Sequence, residues 1–310
     1  MQRVKAKAYS TIANLGPGFD VFGISVDAGY DNVQAETIEK GLEIEISGIG
    51  SEKLPTDPDK NTAGLVAKEI LGFFQIKKGL KIKIQKGIRP GSGLGSSAAS
   101  AAALAVALNK LFNLGLSKIE LIKYASIGEI AAAGVAHADN VAAAILGGFT
   151  IVRTYNPLDV LNIRPPSGIR FCVALPEIEV ATKIARSLLP KEVQLTSFVH
   201  NVGNASSLVY GMFRGNIDLV GRSMSDVIVE PARASLIPGY ELVKKYAKEA
   251  GASGVAISGA GPAMVAIVNP RKINPKRVAQ NMKKGFMEAG VKSEIFICKP
   301  ALGSTVLEVK

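Results

Sequence analysis

The sequence predicts an α+β protein of two domains, and three observations support this prediction. The 310 residues are enough for two domains of ordinary size, each with its own hydrophobic core. Stretches that alternate with period two, as strands do, are interspersed with amphipathic helical patterns. Neighbouring strand patterns joined by short turns indicate local hairpins, which a doubly wound parallel sheet would lack. The predicted domains span residues 1–155 and 168–310, with a linker at 156–167 that contains three prolines.

The first half begins with a predicted strand at residues 4–13, which ends in the sharp turn NLGPG. Residues 32–38 and 42–49 alternate around a Glu-Lys-Gly turn, so we expect them to form a hairpin. The later elements are a helix at 61–74 capped by Asn61 or Thr62, a strand at 80–88, an alanine-rich helix after residue 95, a helix from Ser117 to about Ala133 and a strand at 148–153.

The second half is predicted to contain helices and strands in mixed order. Helical segments follow its first strand and continue through Phe213, and two further helices come later. The predicted boundaries are a strand at 170–175, helices at 240–250 and 275–289, two strands around the loop SGAGP at 258–262, and two closing strands. The mixture of hairpins and helices agrees with the α+β class.

Composition excludes several classes of protein. No apolar stretch is long enough to span a membrane and the N-terminus lacks a signal-like core, so we expect a cytoplasmic protein without membrane contact. Cys172 and Cys298 each lie in an apolar strand-like run, which indicates buried free thiols. The formal net charge of +11 suits a nucleic-acid partner, but the lysines are scattered and no nucleic-acid motif is present. We therefore expect no nucleic-acid binding.

The stretch RPGSGLGSSAASAAA at 89–103 is the strongest candidate for a binding site. Gly91, Gly93 and Gly95 allow positive φ and close approach of the backbone to a ligand. Ser96 and Ser97 then place hydroxyls and unpaired N–H groups at the start of a helix, where the helix dipole favours an anion. The sequence therefore predicts a phosphate-binding loop.

Two common phosphate loops do not fit this stretch. A Walker A loop requires a lysine after the last glycine, and none is present. The glycine spacing also fits the dinucleotide fingerprint poorly. Another kind of nucleotide loop is therefore expected.

Phosphoryl transfer needs a metal carboxylate and groups that hold the acceptor, and one segment supplies candidates for both. Glu129 is the only carboxylate in a small, apolar stretch, and with Ser97 it would suit Mg²⁺ beside phosphate oxygens. His137, Asp139 and Asn140 follow in the run HADN and offer donors and acceptors to a substrate. An exposed helical glutamate, a core histidine and a helix cap are the ordinary alternatives for these residues.

Two arginines are candidates for binding a carboxylate in the second half. Arg186 lies four residues after Thr182 on a predicted helix, so the two side chains share a face. Arg233 lies in the sequence EPAR, and a guanidinium can grip a carboxylate through two hydrogen bonds. Two surface arginines would give the same pattern, so the sequence alone leaves this choice open.

Three motifs together resemble those of homoserine kinases in the GHMP small-molecule kinase superfamily. They are STIANLGPGFDVFG from Ser10, PGSGLGSSAA from Pro90 and SGAGPAMVAI from Ser258, and the resemblance extends over nearly the whole chain. The middle motif is shared across the superfamily, whereas ANLGPGFD, HADN and TKIARSLLP are specific to homoserine kinases. The basic N-terminal motif of mevalonate- and galactose-type relatives is missing.

The resemblance implies a two-domain GHMP kinase fold, with an N-terminal ATP-binding domain like ribosomal protein S5 domain 2 and a ferredoxin-like C-terminal domain. It implies ATP and Mg²⁺ as cofactors, with Ser97 and Glu129 holding the metal. The ATP-binding residues would be Asn61, Arg89, Pro90, Gly91, Ser92, Gly93, Leu94, Gly95, Ser96, Ser97, Ala98 and Ala99. The residues around homoserine would be Asn14, Asp20, His137, Asp139, Asn140, Arg186 and Arg233, and the catalytic set would be Glu129, Asn140 and Thr182.

The expected reaction is ATP-dependent phosphorylation of the hydroxyl of L-homoserine, a step of threonine biosynthesis. The resemblance implies no clear carboxylate base, so that the proton passes to the phosphate itself. The alternatives are a GHMP kinase for another hydroxy acid, such as shikimate or mevalonate, and a non-catalytic nucleotide sensor on the same fold. The sequence does not determine the oligomeric state, and a homodimer is left open.

Overall fold

The computed structural model describes residues 2–134 and 136–310, which form a mixture of strands and helices. The first part of the chain forms β1 (Arg3–Asn14), β2 (Gly18–Ile38), β3 (Leu42–Gly48), α1 (Thr62–Phe73), β4 (Gly79–Lys86), α2 (Ser96–Leu111), α3 (Lys118–Ile127), α4 (Glu129–Ala133), α5 (Asp139–Leu146), β5 (Phe149–Tyr155) and β6 (Leu158–Ile163). The second part forms β7 (Arg170–Pro176), α6 (Thr182–Ser187), α7 (Leu195–Arg214), α8 (Ile217–Arg222), α9 (Val229–Ala234), α10 (Tyr240–Glu249), β8 (Gly254–Ile257), β9 (Met264–Val268), α11 (Pro275–Glu288), β10 (Ser293–Cys298) and β11 (Thr305–Val309).

The larger of two sheets has seven strands in the order β11-β1-β2-β4-β3, and β5 and β6 continue from β2. Helix α2 packs on β1 and β2 of this sheet, and most of its residues are buried. Its run of alanines permits this close approach, because small side chains let a helix lie near a strand. The sheet and this helix position the predicted phosphate loop, which connects β4 to α2.

The predicted hairpin at 32–38 and 42–49 is wrong, because β4 lies between β2 and β3. Strand β4 pairs with β2 in the antiparallel sense and with β3 in the parallel sense. Leu80, Ile82 and Ile84 of β4 are buried, whereas β3 alternates Ile44 with the exposed Glu43 and Glu45. The charged strand therefore occupies the edge, where its side chains discourage further pairing.

The smaller sheet has four antiparallel strands in the order β10-β7-β9-β8. Helices α10 and α11 pack against each other and against this sheet through Val243, Met282 and Phe286, which are fully buried. Two sheets, each with its own helices, confirm the predicted α+β class.

Two further expectations need correction. Part of the predicted linker is strand β6, which pairs with β5 in the larger sheet. The helix expected from Ser117 to Ala133 is divided at Gly128, where a Cβ would lie 2.8 Å from the backbone oxygen of Thr62. The two predicted closing strands are present as β10 and β11, and β11 pairs with β1 in the larger sheet. The division at residues 155 and 168 stays a prediction.

Two predicted helix caps and the two predicted thiols agree with the structure. Asn61 caps α1 by accepting from the backbone N–H groups of Ala63 and Gly64, and Ser117 forms a capping box with Glu120. Cys172 and Cys298 are buried free thiols. Within residues 2–134 and 136–310, the helices are too short or too polar to cross a bilayer.

Candidate active site

One cavity of about 400 Å³ brings together most of the residues singled out in the sequence. Ligand sites commonly have this size. The predicted residues that line it are Asn14, Asp20, Asn61, Pro90, Gly91, Ser92, Gly93, Gly95, Ser96, Ser97, Glu129, His137, Asp139, Asn140, Thr182, Arg186 and Arg233. Its walls therefore come from both halves of the chain.

Four predicted ATP-binding residues do not line this cavity. The guanidinium of Arg89 donates to Glu294 at 2.7 Å, away from the loop. Leu94, Ala98 and Ala99 are buried in the core. If these residues bind phosphate, they do so through their backbone rather than their side chains.

The glycine loop has the backbone conformation predicted for it. The φ angles of Gly91, Gly93 and Gly95 are 66°, 78° and 67°, a region that other residues rarely adopt. A Cβ on Gly93 would lie 2.5 Å from the carbonyl oxygen of Ser258. Helix α2 begins directly after Gly95 without a side-chain cap, so its first N–H groups are available to an anion.

Ser96 and Ser97 have different partners at the start of α2. The Ser96 hydroxyl donates to the carbonyl of Ile88 at 2.8 Å, which closes the loop on itself. The Ser97 hydroxyl donates to Oε2 of Glu129 at 3.1 Å. Oε1 of Glu129 is buried and has no hydrogen-bond partner. Burial raises the pKa of Glu129, although the charge of His137 and the Ser97 hydroxyl act against this shift.

This pair of oxygen ligands fits Mg²⁺. A buried carboxylate oxygen without a partner, next to a serine hydroxyl, is the kind of hard donor that the ion prefers. The described part of the chain contains no cluster of three or more His, Cys, Asp or Glu side chains that could hold a metal ion by itself. A metal held by Ser97 and Glu129 would therefore need phosphate oxygens or water to complete its coordination.

Lys86 lies behind the loop and was missed in the sequence. Its ammonium group forms a buried ion pair with Asp31 and donates to the Ser96 carbonyl at 2.8 Å and the Ser100 hydroxyl at 2.9 Å. Asp31 also accepts from the N–H groups of Gly87 and Ile88. Burial lowers the pKa of Lys86, and the charge of Asp31 opposes that shift. The pair thus joins β2, β4, α2 and the loop.

The HADN segment lies beside Glu129 and begins α5. Nδ1 of His137 is 3.2 Å from Oδ1 of Asp139, and its Nε2 is 3.7 Å from Oε2 of Glu129. Burial disfavours the charged imidazole, but the hydrogen bond to Asp139 and the two carboxylate charges prevail and raise the pKa of His137 to about 9. Oδ1 of Asn140 accepts from the hydroxyl of Thr11 at 2.7 Å.

The two arginines face the same end of the cavity as Asp20. Arg186 donates to both carboxylate oxygens of Asp20, at 3.0 Å and 2.9 Å. Arg233 donates to the carbonyls of Ala185 and Gly259. The Phe19 ring lies 5.2 Å from the Arg186 guanidinium and 5.1 Å from that of Arg233. Asp20 and Arg186 therefore neutralise each other in this structure.

Sequence reasoning missed several residues around the cavity. Thr11, Phe19 and Lys86 contact predicted site residues, and Gly259 accepts from both Asn14 and Arg233. The hydroxyl of Tyr155 donates to the carbonyl of Asp20 at 2.6 Å. The period-two pattern of β4 could have identified Lys86, since it has the same parity as the buried Ile82 and Ile84.

Comparisons with known proteins agree with this geometry. The family models described as GHMP kinases N terminal domain and GHMP kinases C terminal match residues 60–148 and 208–287. The chain is 51% identical to a homoserine kinase of Methanococcus maripaludis, over 88% of this chain and 89% of that protein. It is 47% identical to a homoserine kinase of Methanocella arvoryzae, over 96% and 95%.

Solved structures give the same result. The crystal structure of homoserine kinase from Cytophaga hutchinsonii has a TM-score of 0.92 at 40% identity, covering 98% of this chain and 97% of that one. L. major mevalonate kinase, at 18% identity and a TM-score of 0.72 over 96% and 97% of the two chains, shares the fold. The chain therefore belongs to the homoserine kinases of the GHMP kinase superfamily.

Proposed function

We propose that this protein transfers the γ-phosphate of ATP to the hydroxyl of L-homoserine and so forms O-phospho-L-homoserine, a step of threonine biosynthesis. One observation carries the proposal: a phosphate loop and an Asp20–Arg186–Arg233 cluster line a single cavity. The relatives named homoserine kinase, which are 47–51% identical over most of the chain, support the choice of acceptor.

The nucleotide triphosphate is proposed to lie on the loop between β4 and α2. The positive φ angles of Gly91, Gly93 and Gly95 let the backbone of the loop approach a phosphate closely, and the uncapped start of α2 adds a favourable dipole. Asn61 caps α1 at the same wall, so its contribution to the nucleotide site would come from a rigid position.

Ser97 and Glu129 are proposed to hold Mg²⁺. When bound, the ion offsets the negative charge of the phosphates in the transition state. Glu129 would complete its coordination through Oε1, which lacks a protein partner. Ser97 keeps the carboxylate oriented through Oε2.

The acceptor is proposed to bind as a zwitterion between Asp20 and the two arginines. Its ammonium group would face Asp20, and its carboxylate would face the guanidinium groups of Arg186 and Arg233. The ion pair between Asp20 and Arg186 would then be replaced by ion pairs of each residue with the substrate. Shikimate has no ammonium group and would leave Asp20 without a partner. The site chemistry therefore favours an amino acid.

His137, Asn140 and Thr182 are proposed to orient the reacting hydroxyl and the transferred phosphate. With the acceptor bound, Asp20 would pair with its ammonium group, and Asp139 is engaged by His137 and the Asn140 N–H, so neither would be a free base. This arrangement supports transfer of the hydroxyl proton to the phosphate itself. Positioning and charge stabilisation would then supply most of the rate enhancement.

A coupled assay of ADP release with homoserine, shikimate, mevalonate or no acceptor tests the proposal. We expect rapid turnover with homoserine and background rates with the other three. Preference for shikimate or mevalonate would identify another GHMP kinase, and tight ATP binding without turnover would identify a nucleotide sensor. The cytoplasmic location stays a prediction.

A further inference from the structure

The acceptor end of the cavity contains a section of β2 that departs from the regular ladder with β1. Ala13 pairs with Gly23, but the next residue of β1 pairs with Gly18. The four residues of β2 between these two glycines therefore lie outside the ladder. One of them, Asp20, has a φ angle of 57°, which residues with a Cβ rarely adopt. Irregularities of this kind redirect side chains and are common beside active sites.

The peptide groups on both sides of Asp20 are each held by one side chain. Its N–H group donates to Oδ1 of Asn14 at 3.3 Å, and its carbonyl accepts from the hydroxyl of Tyr155 at 2.6 Å. Asn14 is itself held, because its amide group donates to the carbonyl of Gly259 at 2.9 Å. The hydroxyl of Tyr155, the last residue of β5, is therefore the closer of the two restraints on the Asp20 backbone.

The hydroxyl of Tyr155, rather than its ring, connects β5 with the acceptor site. The residue is 45% exposed, so its ring is not needed to fill a core. Its oxygen also lies 3.5 Å from the backbone nitrogen of Ala138, directly before Asp139. Burial of the hydroxyl end and the charge of Asp139 raise the pKa of Tyr155. The hydroxyl therefore stays protonated at neutral pH and can donate to Asp20.

We propose that Tyr155 is a positioning residue for recognition of the amino group of the acceptor. By fixing the carbonyl of Asp20, it fixes the direction in which the Asp20 carboxylate faces the ammonium group. The inference rests on the proposed binding of the acceptor as a zwitterion. Because Arg186 and Arg233 would bind the other half of the zwitterion, loss of the Tyr155 hydroxyl should weaken acceptors that have an ammonium group more than acceptors that lack one.

Tyr155→Phe tests this proposal, because it removes the hydroxyl and keeps the ring. Titration calorimetry with the whole protein gives the Kd of homoserine and of 4-hydroxybutanoate, which is homoserine without its ammonium group. We expect the Kd of homoserine to rise about fivefold, which is within the range that one hydrogen bond contributes, and the Kd of 4-hydroxybutanoate to stay nearly constant. Tyr30→Phe is the matched control and should change neither constant, since Tyr30 is 46% exposed and its ring packs edge-on against Tyr9.

Asp20→Asn distinguishes an effect that acts through the carboxylate from a general effect on the site. Asparagine also tolerates a positive φ angle, so the backbone should keep its shape without the charge. In this background Tyr155→Phe should leave the Kd of homoserine nearly unchanged. Circular dichroism and urea unfolding check that the variants remain folded.

Three results would overturn the proposal. They are an unchanged Kd of homoserine in Tyr155→Phe, an equal loss of affinity for 4-hydroxybutanoate, and an undiminished effect of Tyr155→Phe in the Asp20→Asn background. A wild type that binds homoserine without phosphorylating it would contradict the proposed function, while the comparison of Kd values would still decide the role of Tyr155. A wild type that does not bind homoserine would overturn both.

Discussion

At the scale of single residues, Glu129 is the side chain whose burial is hardest to explain without a ligand. We predict that Glu129→Gln lowers kcat at least a hundredfold, because the phosphate charge loses its compensation in the transition state. The variant should fold and be at least as stable as the wild type, since the buried carboxylate with its raised pKa becomes a neutral amide while an oxygen remains for Ser97. Steady-state kinetics and urea unfolding measure the two effects.

Glu249→Gln is the control for this variant, because Glu249 is exposed on α10. It should change neither kcat nor stability. If Glu129→Gln retains normal activity at ordinary magnesium concentrations, the proposed metal role is wrong.

Arg233 provides a second prediction at this scale. Arg233→Lys keeps the positive charge but loses the planar guanidinium group, which can donate two hydrogen bonds to one carboxylate. We therefore expect the KM for homoserine to rise about tenfold or more while the KM for ATP changes little. A charge-assisted hydrogen bond contributes about 1.5–3 kcal/mol, which corresponds to at least that factor.

The homoserine analogue 3-aminopropan-1-ol lacks the carboxylate. It therefore distinguishes the loss of a contact between Arg233 and the carboxylate from a general distortion of the site. Wild type should bind it weakly, and Arg233→Lys should weaken it little further, because the partner of the arginine is already absent. Fully additive losses would mean that Arg233 does not contact the carboxylate.

At the scale of elements, the buried Lys86–Asp31 pair connects two strands, α2 and the phosphate loop. We predict that Lys86→Met destabilises the protein by about 3–5 kcal/mol, because it leaves the Asp31 charge buried without its ion pair. The KM for ATP should also rise, since the Ser96 carbonyl loses its donor. Urea unfolding and kinetics measure both.

Lys81→Met is the matched control on the same strand, β4. Lys81 points to the other face and forms ion pairs with Glu43 and Glu45 at the surface, so its loss should cost less than about 1 kcal/mol. Equal losses for the two variants would show that the buried pair is no more important than a surface one.

The contrast between β3 and the glycine loop shows what the sequence could predict at this scale. The loop was predictable because glycines at alternate positions followed by serines are typical of a loop that binds phosphate and are seldom needed for other structures. The pairing of β3 was not, since alternation specifies which face is buried but not which strand lies beside it. The Asp20–Arg186 ion pair could not be predicted from the sequence either, because it depends on how the two halves of the chain pack together.

At the scale of the whole molecule, helix α7 is connected to the acceptor site. Asn201 of α7 donates to Asp226 at 2.8 Å, and Asp226 accepts from the N–H groups of Ile228, Val229 and Glu230 at the start of α9, which carries Arg233. We predict that Asn201→Ala raises the KM for homoserine severalfold and leaves the KM for ATP unchanged, because Asp226 loses a partner that fixes its position beside the start of α9. Initial rates measured over a range of concentrations of each substrate test this.

A KM for homoserine that is the same in Asn201→Ala and in the wild type would contradict the connection between α7 and Arg233.

The pairing of β11 with β1 has a consequence for the order of events during synthesis. Strand β1 precedes every other described helix and strand in the chain and β11 follows all of them, so β11 leaves the ribosome last of these elements. Until then the outer edge of β1 has unpaired N–H and C=O groups, which can capture strands of other nascent chains. Ribosomes stalled before Thr305 should therefore carry chains that aggregate or bind chaperones, although every residue that lines the catalytic cavity has already been made.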